Sequence, residues 1–144
     1  MNLLIAGGAG YLGSTLIPKL LDRGYAVDVV DLFWFGNNLP PEARILSKDI
    51  FALQAPDLEG YDQVIFLAGL SNDPMAEYAP SKNFIFNAAA PAFLAYLAKK
   101  AGVRRYVFKV DIVPLKSIAR EPTSQLGQRD GRIDPFKRDD VKEM

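Results

Sequence analysis

Four glycines fall within seven residues, at Gly7, Gly8, Gly10 and Gly13, directly after an apolar run and at the head of a helical pattern. They can be spaced as Gly8-x-Gly10-x-x-Gly13 or as Gly7-x-x-Gly10-x-x-Gly13, and either spacing suits the same task. A tight turn needs a residue without Cβ, the next glycine lets the backbone approach a pyrophosphate, and the last lets helix and strand pack closely. The N–H groups that open the helix then face the phosphates, where the helix dipole favours negative charge. Asp31 stands 18 residues beyond Gly13, close to the spacing at which an acidic side chain meets the adenosine ribose of a dinucleotide. A carboxylate there accepts from both ribose hydroxyls and repels a 2′-phosphate, which favours NAD over NADP; the bland alternative is an aspartate that merely caps a turn. Asp49 and Ile50 form a further candidate pair, an acid for the adenine amino group beside an apolar neighbour for the ring, and spacing alone leaves that assignment open.

The elements that must position these residues are legible from periodicity. Asn2 to Ala6 reads as a central parallel strand buried on both faces. Leu12, Leu16, Leu20 and Leu21 then recur at helical spacing, with Gly24 as the stop. Pro18 lies inside that pattern, where a missing N–H and a clashing ring cost about 3 kcal/mol, so a distortion is expected there. Ala26 to Val30 is a second strand closed by Asp31, and Leu32 to Pro41 (LFWFGNNLPP) is a loop. Arg44 to Leu46 makes a short third strand, Phe51 to Leu58 at best a brief helix interrupted by Pro56, and Gln63 to Leu67 a strong fourth strand. Ala68 to Pro80 is a loop or short helix. Ser81 to Ala101 is the longest helical candidate, stopped by Gly102, and Arg105 to Val110 is a fifth strand. This alternation predicts an α/β fold, a doubly wound parallel sheet of Rossmann type in the order 3-2-1-4-5.

Composition excludes several function classes. The chain of 144 residues contains no cysteine and no histidine. Disulfides, zinc sites built from Cys or His, and nucleophile systems that need an imidazole are therefore ruled out. Seventeen basic residues balance seventeen acidic ones, which removes the electrostatic argument for a nucleic-acid partner. The uncharged stretch from Met1 to Pro18 imitates a signal peptide or a membrane span, but it lacks a basic leader and carries four glycines, so no membrane association is expected. Compartment is weakly constrained in a chain without cysteine, and the cytoplasm is the expectation. After Val110 the character changes: residues 111–144 hold seven basic and seven acidic side chains with few apolar ones, and read as a charged, partly disordered or irregular tail beyond a domain of residues 1–110.

Together these blocks resemble the extended short-chain dehydrogenase/reductase family, in its NAD-dependent epimerase/dehydratase branch acting on nucleotide-sugars. The resemblance runs through GGAGYLGS (Gly7 to Ser14), VVDLFWFGNNL (Val29 to Leu39), KDI (Lys48 to Ile50), VIFLAGLSNDP (Val64 to Pro74), Asn87 and AGVRRYVF (Ala101 to Phe108). It implies an NAD site with Gly7, Gly10, Tyr11, Leu12 and Gly13 at the pyrophosphate and Asp31 at the ribose. It further implies Asp49 and Ile50 at the adenine, Leu67, Ala68 and Gly69 along the cofactor, and Asn87 near the nicotinamide. A nucleotide-sugar is the further ligand implied, and oligomeric state is left open. Phe66 and Gly69 stand where the family often has His and Ala.

A larger departure follows the fifth strand. Such enzymes continue with a Ser/Thr that polarises the substrate and a Tyr-x-x-x-Lys pair, whose lysine lowers the phenol's pKa so that it can exchange protons with a sugar hydroxyl. Here Lys109, Val110 and Asp111 occupy the serine block, and no tyrosine follows Tyr106. Tyr78 with Lys82 and Tyr96 with Lys100 imitate the pair earlier in the chain, the first across Pro80 and the second on the helix before the last strand. No catalytic residue is assigned. The expectation is an NAD-binding domain with little or no turnover by itself, against two alternatives: a non-catalytic NAD-binding or redox-sensing module, and a truncated enzyme product without independent function.

Overall fold

The computed structural model describes residues 1–70 and 78–109. The expected tail, and most of the segment between Ala68 and Pro80, lie outside the described residues. Leu3, Leu4, Ile5 and Ala6 of β1 (Asn2–Ala6) are all buried, as a strand covered on both faces requires. β2 (Ala26–Asp31) and β4 (Gln63–Phe66) flank it in parallel, β3 (Arg44–Ser47) pairs outside β2, and β5 (Arg105–Phe108) outside β4. The order is β3-β2-β1-β4-β5, as the alternating pattern predicts.

The period of two along each strand sorts the side chains between two cores. Leu3, Ile5, Val27 and Val29 pack with Ala43 and with Ile17 of α1 (Tyr11–Leu21) on one face. On the other face, Leu4, Ala6, Val30, Val64 and Phe66 pack under Leu94, Leu97 and Ala98 of the long C-terminal helix and against Leu53 and Leu58. Leu53 follows a 3-10 turn at Ile50–Ala52 and Leu58 ends another at Ala55–Leu58, which is what remains of the brief helix expected around Pro56.

The two helical prolines behave differently from one another. α1 continues through Pro18: the missing N–H forfeits one bond to the Ser14 carbonyl, but Asp22 N–H still donates to the Pro18 carbonyl at 2.9 Å. The change of hydrogen-bond register falls at Pro91 instead. The long helix divides into α2 (Pro80–Phe84), a widened π turn (Ile85–Ala89) and α3 (Ala90–Lys100). Pro91 offers no N–H to the Asn87 carbonyl and its ring crowds that oxygen, while Ala90 N–H reaches back five residues to Ile85. No described helix is long and apolar enough to cross a membrane.

Candidate functional site: a cleft at the strand C-termini

Every strand delivers its C-terminal end to the same side of a parallel sheet, and the loops that leave β1, β2, β3 and β4 enclose one cleft there. At its floor, Gly7 N–H donates to the Val30 carbonyl (2.9 Å) and Leu67 N–H to the Ala6 carbonyl (2.8 Å), which ties the glycine turn to both neighbouring strands. Gly7 adopts φ +78°, and a Cβ on it would stand 2.3 Å from the Ala68 nitrogen. A Cβ on Gly13 would come within 2.0 Å of the Gly8 carbonyl oxygen, so α1 can lie against the turn only because residue 13 has no side chain. Gly10 differs: the only atom near its missing Cβ is the Gly7 carbonyl oxygen at 3.4 Å, and it lines open cleft. Two glycines thus serve packing, and one leaves room for a ligand.

The head of α1 suits an anion. Its first own hydrogen bond is Ser14 N–H to the Gly10 carbonyl (2.9 Å), so the N–H groups of Tyr11, Leu12 and Gly13 precede the helical ladder. No side chain caps this end, and no acidic residue occupies its first turn. Asp31, at the end of β2, accepts from Ala9 N–H (Oδ2, 2.9 Å) and from Phe33 N–H (Oδ1, 2.8 Å). A carboxylate has about four acceptor sites, so two backbone bonds leave it capacity for two hydroxyl donors. Asp49 caps the first 3-10 turn by accepting from Phe51 N–H (2.9 Å), and Ile50 lines the wall beside it.

Of the residues expected at a cofactor, Gly7, Gly10, Asp31, Asp49, Ile50, Leu67, Ala68 and Gly69 line the cleft. Tyr11, Leu12, Gly13 and Asn87 do not. Tyr11 and Leu12 are exposed on α1 and offer the cleft only their backbone, and Gly13 lies behind the turn. Asn87 works one layer out: Leu70 N–H donates to its Oδ1 (2.8 Å) and its Nδ2 donates to the Leu70 carbonyl (2.8 Å), clamping the loop that carries Leu67 to Gly69. A Cβ at Gly69 would sit 2.6 Å from Asn87 Oδ1, so glycine at that position is what admits the clamp.

Sequence reading missed the aromatic wall. Phe33, Trp34, Phe35, Phe51 and Phe86 line the cleft, and Trp34 meets Phe86 edge-on with centroids 6.1 Å apart. The run Leu32 to Phe35 directly after Asp31 was the available signal. Lys48 also lines the cleft, with its Nζ paired to Asp57 Oδ2 at 3.1 Å. The Gln54 backbone N–H and then Lys48 hold the Asp57 carboxyl below its ordinary value.

The tyrosines with lysine partners stand away from this site. Lys100 Nζ lies over the Tyr96 ring at 4.8 Å on the exposed side of α3. Tyr78 is exposed and neither it nor Lys82 lines the cleft. Tyr106 donates to the Pro91 carbonyl (2.8 Å), and burial pushes its phenol well above the usual range, so it stays protonated. Tyr61 is pushed up to about 12, first by burial and then by its hydrogen bond to Asp28 at the far end of the sheet.

A doubly wound domain with a glycine turn, an uncapped helix start and an acid at the end of β2 is a dinucleotide-binding domain in its class. The chain belongs to the NAD dependent epimerase/dehydratase family, whose profile matches residues 3–109. It is 29% identical over 147 residues to a UDP-glucose 4-epimerase of Corynebacterium glutamicum, covering 93% of this chain and 45% of that protein. It is 33% identical over 107 residues to UDP-glucuronic acid decarboxylase 1 of Danio rerio, covering 72% and 26%. Among solved structures it resembles UDP-glucose 4-epimerase of Thermotoga maritima with UDP-glucose (TM-score 0.68, 26% identity, 79% of this chain and 42% of that one). It also resembles MoeE5 in complex with UDP-glucuronic acid and NAD (TM-score 0.66, 28% identity, 75% and 36%). The chain therefore spans less than half the length of each of these relatives.

Proposed function

We propose that this chain binds NAD in the cleft at the strand C-termini and is the cofactor-binding part of a nucleotide-sugar epimerase/dehydratase-type protein. The observation that carries this reading is Asp31, held by two backbone N–H groups at the cleft wall with acceptor capacity to spare, beside a glycine turn whose Gly10 leaves ligand space. In it, the N–H groups at the head of α1 hold the pyrophosphate and Asp31 accepts from the adenosine ribose hydroxyls. Asp49 and Ile50 serve the adenine, while Leu67, Ala68 and Gly69 line the path toward the nicotinamide. Asn87 is a positioning residue acting through Leu70. Bound NAD supplies a hydride acceptor for chemistry at a sugar carbon.

We further propose that the chain by itself turns over a nucleotide-sugar slowly or not at all. Tyr61 and Tyr106 are held protonated in structural roles, Tyr78 and Tyr96 stand outside the cleft, and no tyrosine follows Tyr106 in the sequence. No described tyrosine is thus placed to trade a proton with a sugar hydroxyl in the cleft.

Titration of the full chain with NAD, read by Trp34 fluorescence, tests the first proposal, and binding below millimolar concentration is expected. Asp31→Ala should weaken NAD by about 10- to 100-fold, as loss of charge-assisted hydrogen bonds predicts, and should affect NADP much less. If neither dinucleotide binds below millimolar concentration, the cofactor reading fails. Steady conversion of UDP-glucose by the pure chain would overturn the second proposal.

A further inference from the structure

Two backbone irregularities meet across the mouth of the cleft. Phe33 is the one non-glycine residue among those described with a left-handed backbone, at φ +54°, a strained conformation that concentrates at functional sites. Its N–H is held by Asp31 and its carbonyl accepts from Gly36 N–H (3.0 Å), which turns the loop so that Trp34 points back over the cleft. Opposite, the π turn forced by Pro91 carries Phe86, and widened turns of this kind recur at functional sites. The two rings make an edge-to-face contact, and both line the cleft, yet Trp34 remains 61% exposed. A ring so exposed adds little to the core. Its contact with Phe86 bridges a loop leaving β2 and a helix following β4.

We propose that Trp34 and Phe86 form an aromatic clasp over the adenosine half of a bound dinucleotide and set how slowly it leaves. The placement follows from Trp34 standing three residues beyond the ribose carboxylate Asp31, on the same loop. The clasp rests on the cofactor reading above, because it needs a dinucleotide beneath it. A dinucleotide entering or leaving past the rings must part them, whereas one in place gains a ring edge as a cover and loses contact with water.

The full chain loaded with NADH and mixed with excess NAD gives the release rate from the fall in NADH emission, a signal independent of Trp34. Trp34→Ala and Phe86→Leu, the latter keeping volume while removing the ring, should each speed release by about two- to tenfold, the range expected for one edge-to-face pair. The double variant should be no faster than the faster single one, since either change breaks the same contact. Trp34→Phe, which retains an aromatic edge, should restore release to within about twofold of the parent. Unchanged release rates, or single effects that multiply in the double variant, overturn the clasp while leaving the cofactor site standing. Failure of the parent chain to hold NADH overturns the cofactor reading and the clasp with it.

Discussion

The two ends of the sheet are held by opposite means. At the N-terminal ends of the strands, charged side chains tie neighbours together: Arg44 of β3 donates through Nε to Asp28 of β2 at 2.9 Å, and Tyr61, just before β4, donates to the same carboxylate. Asp62 there accepts from the backbone N–H of Asn2 on β1 (2.8 Å) and from Arg104 beside β5 (2.6 Å). All five strands, or residues just before them, take part, β1 through its backbone and the others through side chains. At the C-terminal ends, backbone hydrogen bonds and glycine contacts hold the same strands, and the carboxylates of Asp31 and Asp49 are engaged by backbone N–H groups. The lesson is a division of labour. One end commits its charges to the fold, and the other relies mainly on backbone, with the Lys48–Asp57 pair and the Asn87 clamp beside it, which leaves the Asp31 carboxylate and helix N–H groups capacity for a ligand.

The sharpest way to break this contrast is Gly13→Ala, because the new methyl would meet the Gly8 carbonyl at 2.0 Å with backbone on both sides. A cost of about 3 kcal/mol or more follows from strain of this kind, with a fall in melting temperature of roughly 10 °C or more in a domain this size. NAD binding should disappear with it, and thermal melting with and without NAD checks both. Asp28→Ala acts at the other end. Removing the acceptor of Tyr61 and Arg44 should cost about 1–2 kcal/mol, discounted for the exposure of the arginine, with NAD affinity unchanged. A change in affinity of more than about threefold in Asp28→Ala, measured by calorimetry, would contradict the separation of the two ends.

Acid gives the smallest effect. The Asn2 backbone N–H, and after it Arg104, hold the Asp62 carboxyl below its ordinary value of 3.8. A lowered folded pKa means stability present above the unfolded pKa and lost as pH falls through the folded one. Melting temperature should therefore stay flat from neutral pH to about 4.5 and begin to drop only below about 4, with a smaller drop in Asp62→Asn. Added salt should shrink the difference, since the pair is exposed.

The fold and the cleft end were legible in the sequence, and the ion pairs at the other end were not. Parallel strands covered on both faces show as apolar runs, so β1 and β4, and β2 apart from Asp28, declare themselves, and the glycine turn with Asp31 fixes where the cleft opens. The helical prolines show what a one-dimensional reading lacks. Pro18 and Pro91 look alike in sequence, yet one costs a single bond inside a continuing helix and the other shifts the ladder to a five-residue span. The aromatic wall escaped for a related reason: Trp34 and Phe86 are 52 residues apart, and nothing local in either segment announces the other. Asn87, expected near the nicotinamide, grips Leu70 instead and stands behind the cleft wall rather than on its surface.

The central position of the first strand has a temporal side. β1 pairs with β2, which begins at Ala26, and with β4, which begins at Gln63. A ribosome delivers residues in order, so the glycine turn, the head of α1 and Asp31 exist as chain before any residue of the opposite wall has been made. The nascent protein carries the groups proposed for phosphate and ribose early and waits for Leu67 to Gly69, and then for the helix bearing Phe86 and Asn87, before they acquire a second side.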